Sequence, residues 1–85
     1  MNEEKIFIKI ISILNKYKKI TIKNKKKLLN LRYLDIGHID SLKLMSFIVN
    51  LENNFKIKIS SKDTESENFR SIKGLITIIK KNVRK

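Results

Sequence analysis

An all-α fold, a small up-and-down bundle of three main helices plus one short helix, follows from three observations in this 85-residue chain. Apolar residues recur at helical spacing in three separate stretches, about residues 3–18, 41–54 and 72–82. No proline interrupts any of them. One short segment, KIKIS at residues 56–60, alternates as a strand does, but no second alternating run exists to pair with it. A chain of this length holds one domain with one modest core, so residues 1–85 are read as a single unit.

The first helix, about 3–18, places Ile6, Ile10, Ile13, Leu14 and Tyr17 on one face. Glu3 and Glu4 in its first turn and Lys16, Lys18 and Lys19 at its end match the helix dipole. Residues 19–40 form a long loop, with a helical turn expected near 25–30. Its apolar residues Leu28, Leu29, Leu31, Tyr33, Leu34 and Ile36 need somewhere to pack, and a loop this long in a compact domain is usually functional.

The second helix, about 41–54, sorts its apolar residues into two groups. Leu44, Phe47, Ile48, Leu51 and Phe55 share an arc of roughly 100°, enough for a core face. Leu42, Met45 and Val49 fall in a separate arc beside the polar Lys43, Ser46, Asn50, Asn53 and Asn54. That second group either packs under the long loop or stays exposed for partners to grip. Residues 56–60 are expected to be an extended link that inserts Ile57 and Ile59 into the core. A short helix near 67–69 follows. Ser71 then caps the last helix, whose residues Ile72, Leu75, Ile76, Ile79 and Val83 keep helical spacing.

The formal net charge is +12. Residues 1–31 carry nine Lys against Glu3 and Glu4, and residues 56–85 carry nine Lys or Arg against Asp63, Glu65 and Glu67. Residues 32–55 hold only Arg32 and Lys43 against Asp35, Asp40 and Glu52. Basic flanks thus enclose a nearly neutral centre. Lys, Ile and Asn, all with A/T-rich codons, make up about half the chain, and a compositional bias alone produces such a charge. The absence of Cys removes disulfides, thiolate metal sites and a cysteine nucleophile, and a lone His leaves little for zinc. No apolar run is long enough for a membrane span. The opening MNEEKIFIKI, acids first and a lysine among its apolar residues, is unlike a signal peptide, so a cytoplasmic location is expected.

The informative segment runs from Asp35 through Ile36, Gly37, His38, Ile39, Asp40 and Ser41 to Leu42. Ser41 falls at the start of the second helix, where backbone N–H groups lack partners and the dipole is positive. A phosphodiester on its hydroxyl would rest there favourably. Gly37 gives the loop freedom to turn sharply into the helix. On these residues alone, a plain cap at Asp40 or Ser41 is the simpler reading.

The run IDSLKLMSFIVNLENNFKIKIS, followed by ENFRSIKGLITII, resembles the acyl carrier protein family, peptidyl carriers included. The likeness covers about residues 34–79. Asp40-Ser41-Leu42 is similar to the family's attachment motif, and Leu51, Glu52 and Phe55 fall at the family's spacing from that serine. Ile57, Ile59, Phe69 and Ile72 match its later positions. The resemblance implies an acyl-carrier-like bundle, most simply a monomer, that is itself no enzyme. It implies that Ser41 receives 4'-phosphopantetheine from coenzyme A through a separate, magnesium-dependent phosphopantetheinyl transferase, with Asp40 helping to place metal and coenzyme A. It implies further that Leu42, Met45 and Val49 are shown to acyl- or aminoacyl-loading ligases or synthases. Lys43 and the scarcity of acids on the second helix depart from carriers of ordinary fatty acid synthesis. ENFRSI looks more like stand-alone carriers of specialised pathways.

Three rival classes draw on other residues. A small basic nucleic-acid-binding helical protein would use the lysines at 16–27 and 80–85, but few aromatics are free to stack on bases and no nucleic acid is expected. A membrane-surface helix over residues 1–19 would use its lysine-flanked isoleucines. A hydrolase would need His38 as base for Ser41, whereas His38 is expected to be a solvated loop residue.

Overall fold

The computed structural model describes residues 2–83 and contains no strand among them. Five α-helices follow in order: α1 (Glu3–Tyr17), α2 (Lys25–Leu29), α3 (Ser41–Phe55), α4 (Ser61–Thr64) and α5 (Ile72–Val83). A 3-10 turn, Glu67–Arg70, precedes α5. The three long helices are those that the apolar spacing predicts, and α2 is the helical turn expected within the long loop. The α4 turn was not expected. It carries no apolar repeat and exists because the Ser60 hydroxyl accepts from the Asp63 amide at 3.1 Å.

Each long helix begins on a side-chain cap. Asn2 Oδ1 accepts from the Lys5 amide at 2.9 Å, Asp40 Oδ1 from Lys43 at 3.0 Å and Ser71 Oγ from Gly74 at 3.0 Å. The last is the Ser71 cap expected from sequence. The core joins Ile6, Ile10, Ile13 and Leu14 of α1 to Phe47, Leu51 and Phe55 of α3 and to Ile72, Leu75, Ile78 and Ile79 of α5. Leu44 and Ile48 are only half-buried, because the core arc of α3 is narrower than its apolar residues. Ile59 enters the core from the extended link, while Ile57 packs half-buried at its edge.

The helix directions depart from strict up-and-down alternation. Lys9 of α1 meets Asn54 and the Phe55 ring at the end of α3, while Tyr17 meets Ser46 nearer its start, so α3 opposes α1. Lys80 near the end of α5 pairs with Glu3 at the start of α1, at 2.8 Å. Both α3 and α5 therefore end beside the first half of α1 and share a direction. The link between them makes this feasible: at roughly 3.3 Å per extended residue, residues 56–71 easily retrace the ~22 Å length of α3.

Gly74 sits where α5 meets the 3-10 turn. A Cβ there would lie 1.9 Å from the Asn68 carbonyl oxygen, so glycine lets α5 press directly onto the 3-10 turn. Gly37 does act as a turn residue, with φ at +81°.

Candidate functional site

The long loop is fastened at several points before it delivers Ser41. Tyr33 is fully buried, its ring set edge-on to Phe47 at 5.3 Å and to Phe69 at 6.3 Å. Its hydroxyl donates to the Phe69 carbonyl. Burial pushes the phenol's pKa well above its ordinary value, so the donor stays protonated. The Tyr33 carbonyl in turn accepts from the amides of His38 and Ile39, at 3.0 and 3.3 Å, and closes the turn around Gly37.

His38 is buried, contrary to the solvated position expected for it. Its Nε2 lies 2.9 Å from the Leu14 carbonyl near the end of α1. A carbonyl can only accept, so Nε2 carries the proton in this contact. No hydrogen bond joins His38 to Ser41 among the described residues, so the pair does not form the nucleophile-and-base contact that hydrolysis requires.

Outside the turn, Asp35 bridges two arginines, meeting Arg32 at 2.5 Å and Arg70 at 2.8 Å. Arg32 also meets Glu67. The Arg32 hydrogen bond, before other causes, holds the Asp35 carboxyl below its usual pKa. These pairs are surface-exposed and each adds little stability on its own. Their effect is to bind the loop to the 3-10 turn from outside while Tyr33 does so from within.

Asp40 is the cap of α3, and Ser41 is its first residue. Ser41 is exposed, and its hydroxyl makes no hydrogen bond within the described protein. Asp40 takes the Lys43 amide and leaves those of Ser41 and Leu42 without a protein acceptor. A phosphodiester on the Ser41 oxygen fits this geometry: the hydroxyl is free, the surface is open and two amides lie beside it. No three metal-binding side chains converge among the described residues.

Leu42, Met45 and Val49 follow Ser41 along one side of α3, 90%, 70% and 45% exposed. The long loop does not cover them. It turns Leu28, Tyr33 and Ile39 inward instead. Behind the stripe, the Tyr17 hydroxyl meets Ser46 Oγ at 2.8 Å and accepts from Asn50 at 2.6 Å, locking the polar arc of α3 to α1. Ile36, one of the loop's apolar residues expected to find a packing site, is instead 63% exposed in the turn before Ser41. Its neighbour Gly37 was the only signal that this residue stands on a sharp turn and not on a packed face.

No family model matches the chain, and neither the curated proteins nor the solved structures contain a match to it.

Proposed function

We propose that the chain is an acyl carrier protein, a substrate of other enzymes and not an enzyme itself. A phosphopantetheinyl transferase would move 4'-phosphopantetheine from coenzyme A to the Ser41 hydroxyl, breaking the pyrophosphate bond and releasing adenosine 3',5'-bisphosphate and the hydroxyl proton, with Asp40 beside it in the encounter. When attached, the arm supplies a terminal thiol on which an acyl or aminoacyl group is carried as a thioester. The protein's own residues do the rest. Asp40 fixes the start of α3, the open amides of Ser41 and Leu42 would face a phosphodiester on Ser41, and Leu42, Met45 and Val49 would give loading ligases or synthases an apolar hold. The carrier acts as a cytoplasmic monomer in fatty acid or specialised biosynthesis.

One observation carries the reading: an exposed serine without an internal hydrogen bond opens a helix that leaves three large apolar side chains, Leu42, Met45 and Val49, exposed along one side. A soluble helix gains nothing in stability from leaving Leu42 in water. The likeness of residues 34–79 to carrier proteins points the same way. No helix of the described residues is long and apolar enough to cross a membrane, which is compatible with the proposed location.

Incubation with coenzyme A, magnesium and a broad-specificity phosphopantetheinyl transferase tests the assignment. Intact mass should rise by one phosphopantetheine, and Ser41→Ala should stay folded and gain nothing. Labelling that persists in Ser41→Ala, or a folded parent protein that no transferase modifies, refutes it.

A further inference from the structure

A groove of about 710 Å³ lies between α2 and α5, bounded at one end by Glu3 of α1. Its floor is Leu29 and Ile76, and its lining includes Lys26, Lys73, Lys80 and Lys81. Lys73, Ile76, Thr77 and Lys80 follow at helical spacing, so one face of α5 reads cation, apolar, polar, cation. Lys80 is paired with Glu3 at 2.8 Å and Lys81 with Asp63 at 2.7 Å. Lys26 and Lys73 have no carboxylate in ion-pair reach among the described residues.

Glu3 opens α1, whereas Ser41 opens the opposing α3. The Glu3 end of this groove therefore lies at the other end of the bundle from Ser41.

We propose that this groove is a second docking surface, one that binds an acidic helical segment of a partner protein carrying apolar side chains between its carboxylates. Charge complementarity fixes the sign of the occupant: Lys80 and Lys81 are already paired, but Lys26 and Lys73 are left without a carboxylate partner at the groove. The floor fixes its second property. Leu29 and Ile76 can bury an aliphatic or aromatic side chain between the lysines, which a purely ionic ligand would not fill. The groove's size suits a few side chains of one helix face laid into it.

Nucleic acid fits less well. The Glu3 carboxylate would face its phosphates, no aromatic residue lines the groove to stack a base, and the apolar floor offers a backbone nothing. Binding here leaves Ser41 and the exposed stripe of α3 open, and it does not depend on what Ser41 carries.

The test uses the whole chain and a fluorescein-labelled peptide of about fifteen residues, roughly four helical turns, with leucines on one face and glutamates on either side. Anisotropy at physiological ionic strength gives the affinity, and amide shifts give the location. Binding is expected, with shifts concentrated in residues 26–30 and 73–81. A peptide with serine replacing each leucine should bind more weakly.

Lys26→Glu with Lys73→Glu should weaken binding roughly tenfold or more, since each change trades an attraction for a repulsion. Lys73 falls in the first turn of α5, where an acid suits the dipole, and Lys26 is an exposed residue of the five-residue α2, so the fold should be kept, which circular dichroism checks. Lys23→Glu with Lys58→Glu alters net charge equally, involves no residue that lines the groove and should change affinity less than about twofold, because exposed charges away from the contact are screened at this ionic strength. Equal losses in the two double variants would mean that net charge alone attracts the peptide. That outcome overturns the proposal, as does absence of binding. A single-stranded oligonucleotide or phosphatidylglycerol vesicles binding more tightly at the same residues would overturn it too. Repeating the titration with Ser41→Ala should change nothing, which keeps this result separate from the fate of the carrier reading.

Discussion

The hydroxyl of Tyr33 donates to the carbonyl of Phe69, 36 residues further along the chain. This buried bond joins the loop that delivers Ser41 to the turn that launches α5, so the position of the candidate site is tied to the core. Tyr33→Phe keeps the ring among Phe47 and Phe69 and removes only the donor. Stability should fall by about 1–3 kcal/mol, the usual effect of withdrawing a partner from a buried carbonyl. Urea unfolding measures it, and an unchanged midpoint would show that the bond contributes nothing net.

The exposed side of α3 and its buried side should respond oppositely to truncation. Met45→Ala and Val49→Ala should each cost less than about 1 kcal/mol, since little burial is lost. Leu51→Ala should cost about 2–5 kcal/mol by opening a cavity. If the carrier reading holds, Leu42→Ala and Met45→Ala should also slow loading of Ser41 by the transferase while stability stays put. Equal destabilisation by Met45→Ala and Leu51→Ala would place the stripe inside the core.

Gly74→Ala offers a sharper contrast. Helix propensity alone favours alanine by about 1 kcal/mol. Contact with the Asn68 backbone opposes it, because the new methyl would overlap the carbonyl and α5 would have to lift from the 3-10 turn. Net destabilisation of roughly 1–3 kcal/mol is expected, as for other overpacked interiors. A stabilised Gly74→Ala variant would mean that the two segments pack less closely than described.

Acid should weaken the fold through three carboxylates whose pKa is lowered. Lys81 holds Asp63 below its usual value, chiefly through its hydrogen bond, and this outweighs the opposing effect of burial. Arg32 does the same for Asp35, and Lys80 for Glu3. Each group binds its proton more weakly folded than unfolded. The stabilisation is therefore complete above the ordinary carboxylate range, near pH ~4, and is lost as pH falls through the lowered folded values. Asp63→Asn should flatten the acid limb of a stability–pH curve measured by urea midpoints. A parallel limb in that variant would remove Asp63 from the account.

Much of this arrangement is legible in sequence where burial is periodic. The isoleucines of α1 and the 72/75/76/79 repeat of α5 announce both helices and their inner faces. Contacts that depend on single residues leave no such trace. His38 is an isolated polar residue whose partner, the Leu14 carbonyl, lies 24 residues away and is a backbone atom with no identity in the sequence. Gly74 looks like any helix-weakening glycine until the Asn68 carbonyl is seen against it. The arc of Leu42, Met45 and Val49 was legible on α3, but its exposure was not, because that depended on where the long loop would lie. The α4 turn rests on one serine cap and has no apolar pattern to reveal it. The shared direction of α3 and α5 follows from the path of residues 56–71, which periodicity does not encode.

Because Asp40 latches the first turn of α3, the oxygen of Ser41 has no structural duty. Folding and decoration of this residue are thermodynamically separate events. A chain with a bare hydroxyl and a chain with a group attached there would occupy the same native basin. An enzyme that adds such a group, or later removes it, meets a finished protein and needs no partial unfolding to reach its target. If the carrier reading holds, the group on Ser41 can be exchanged many times over the lifetime of one folded molecule.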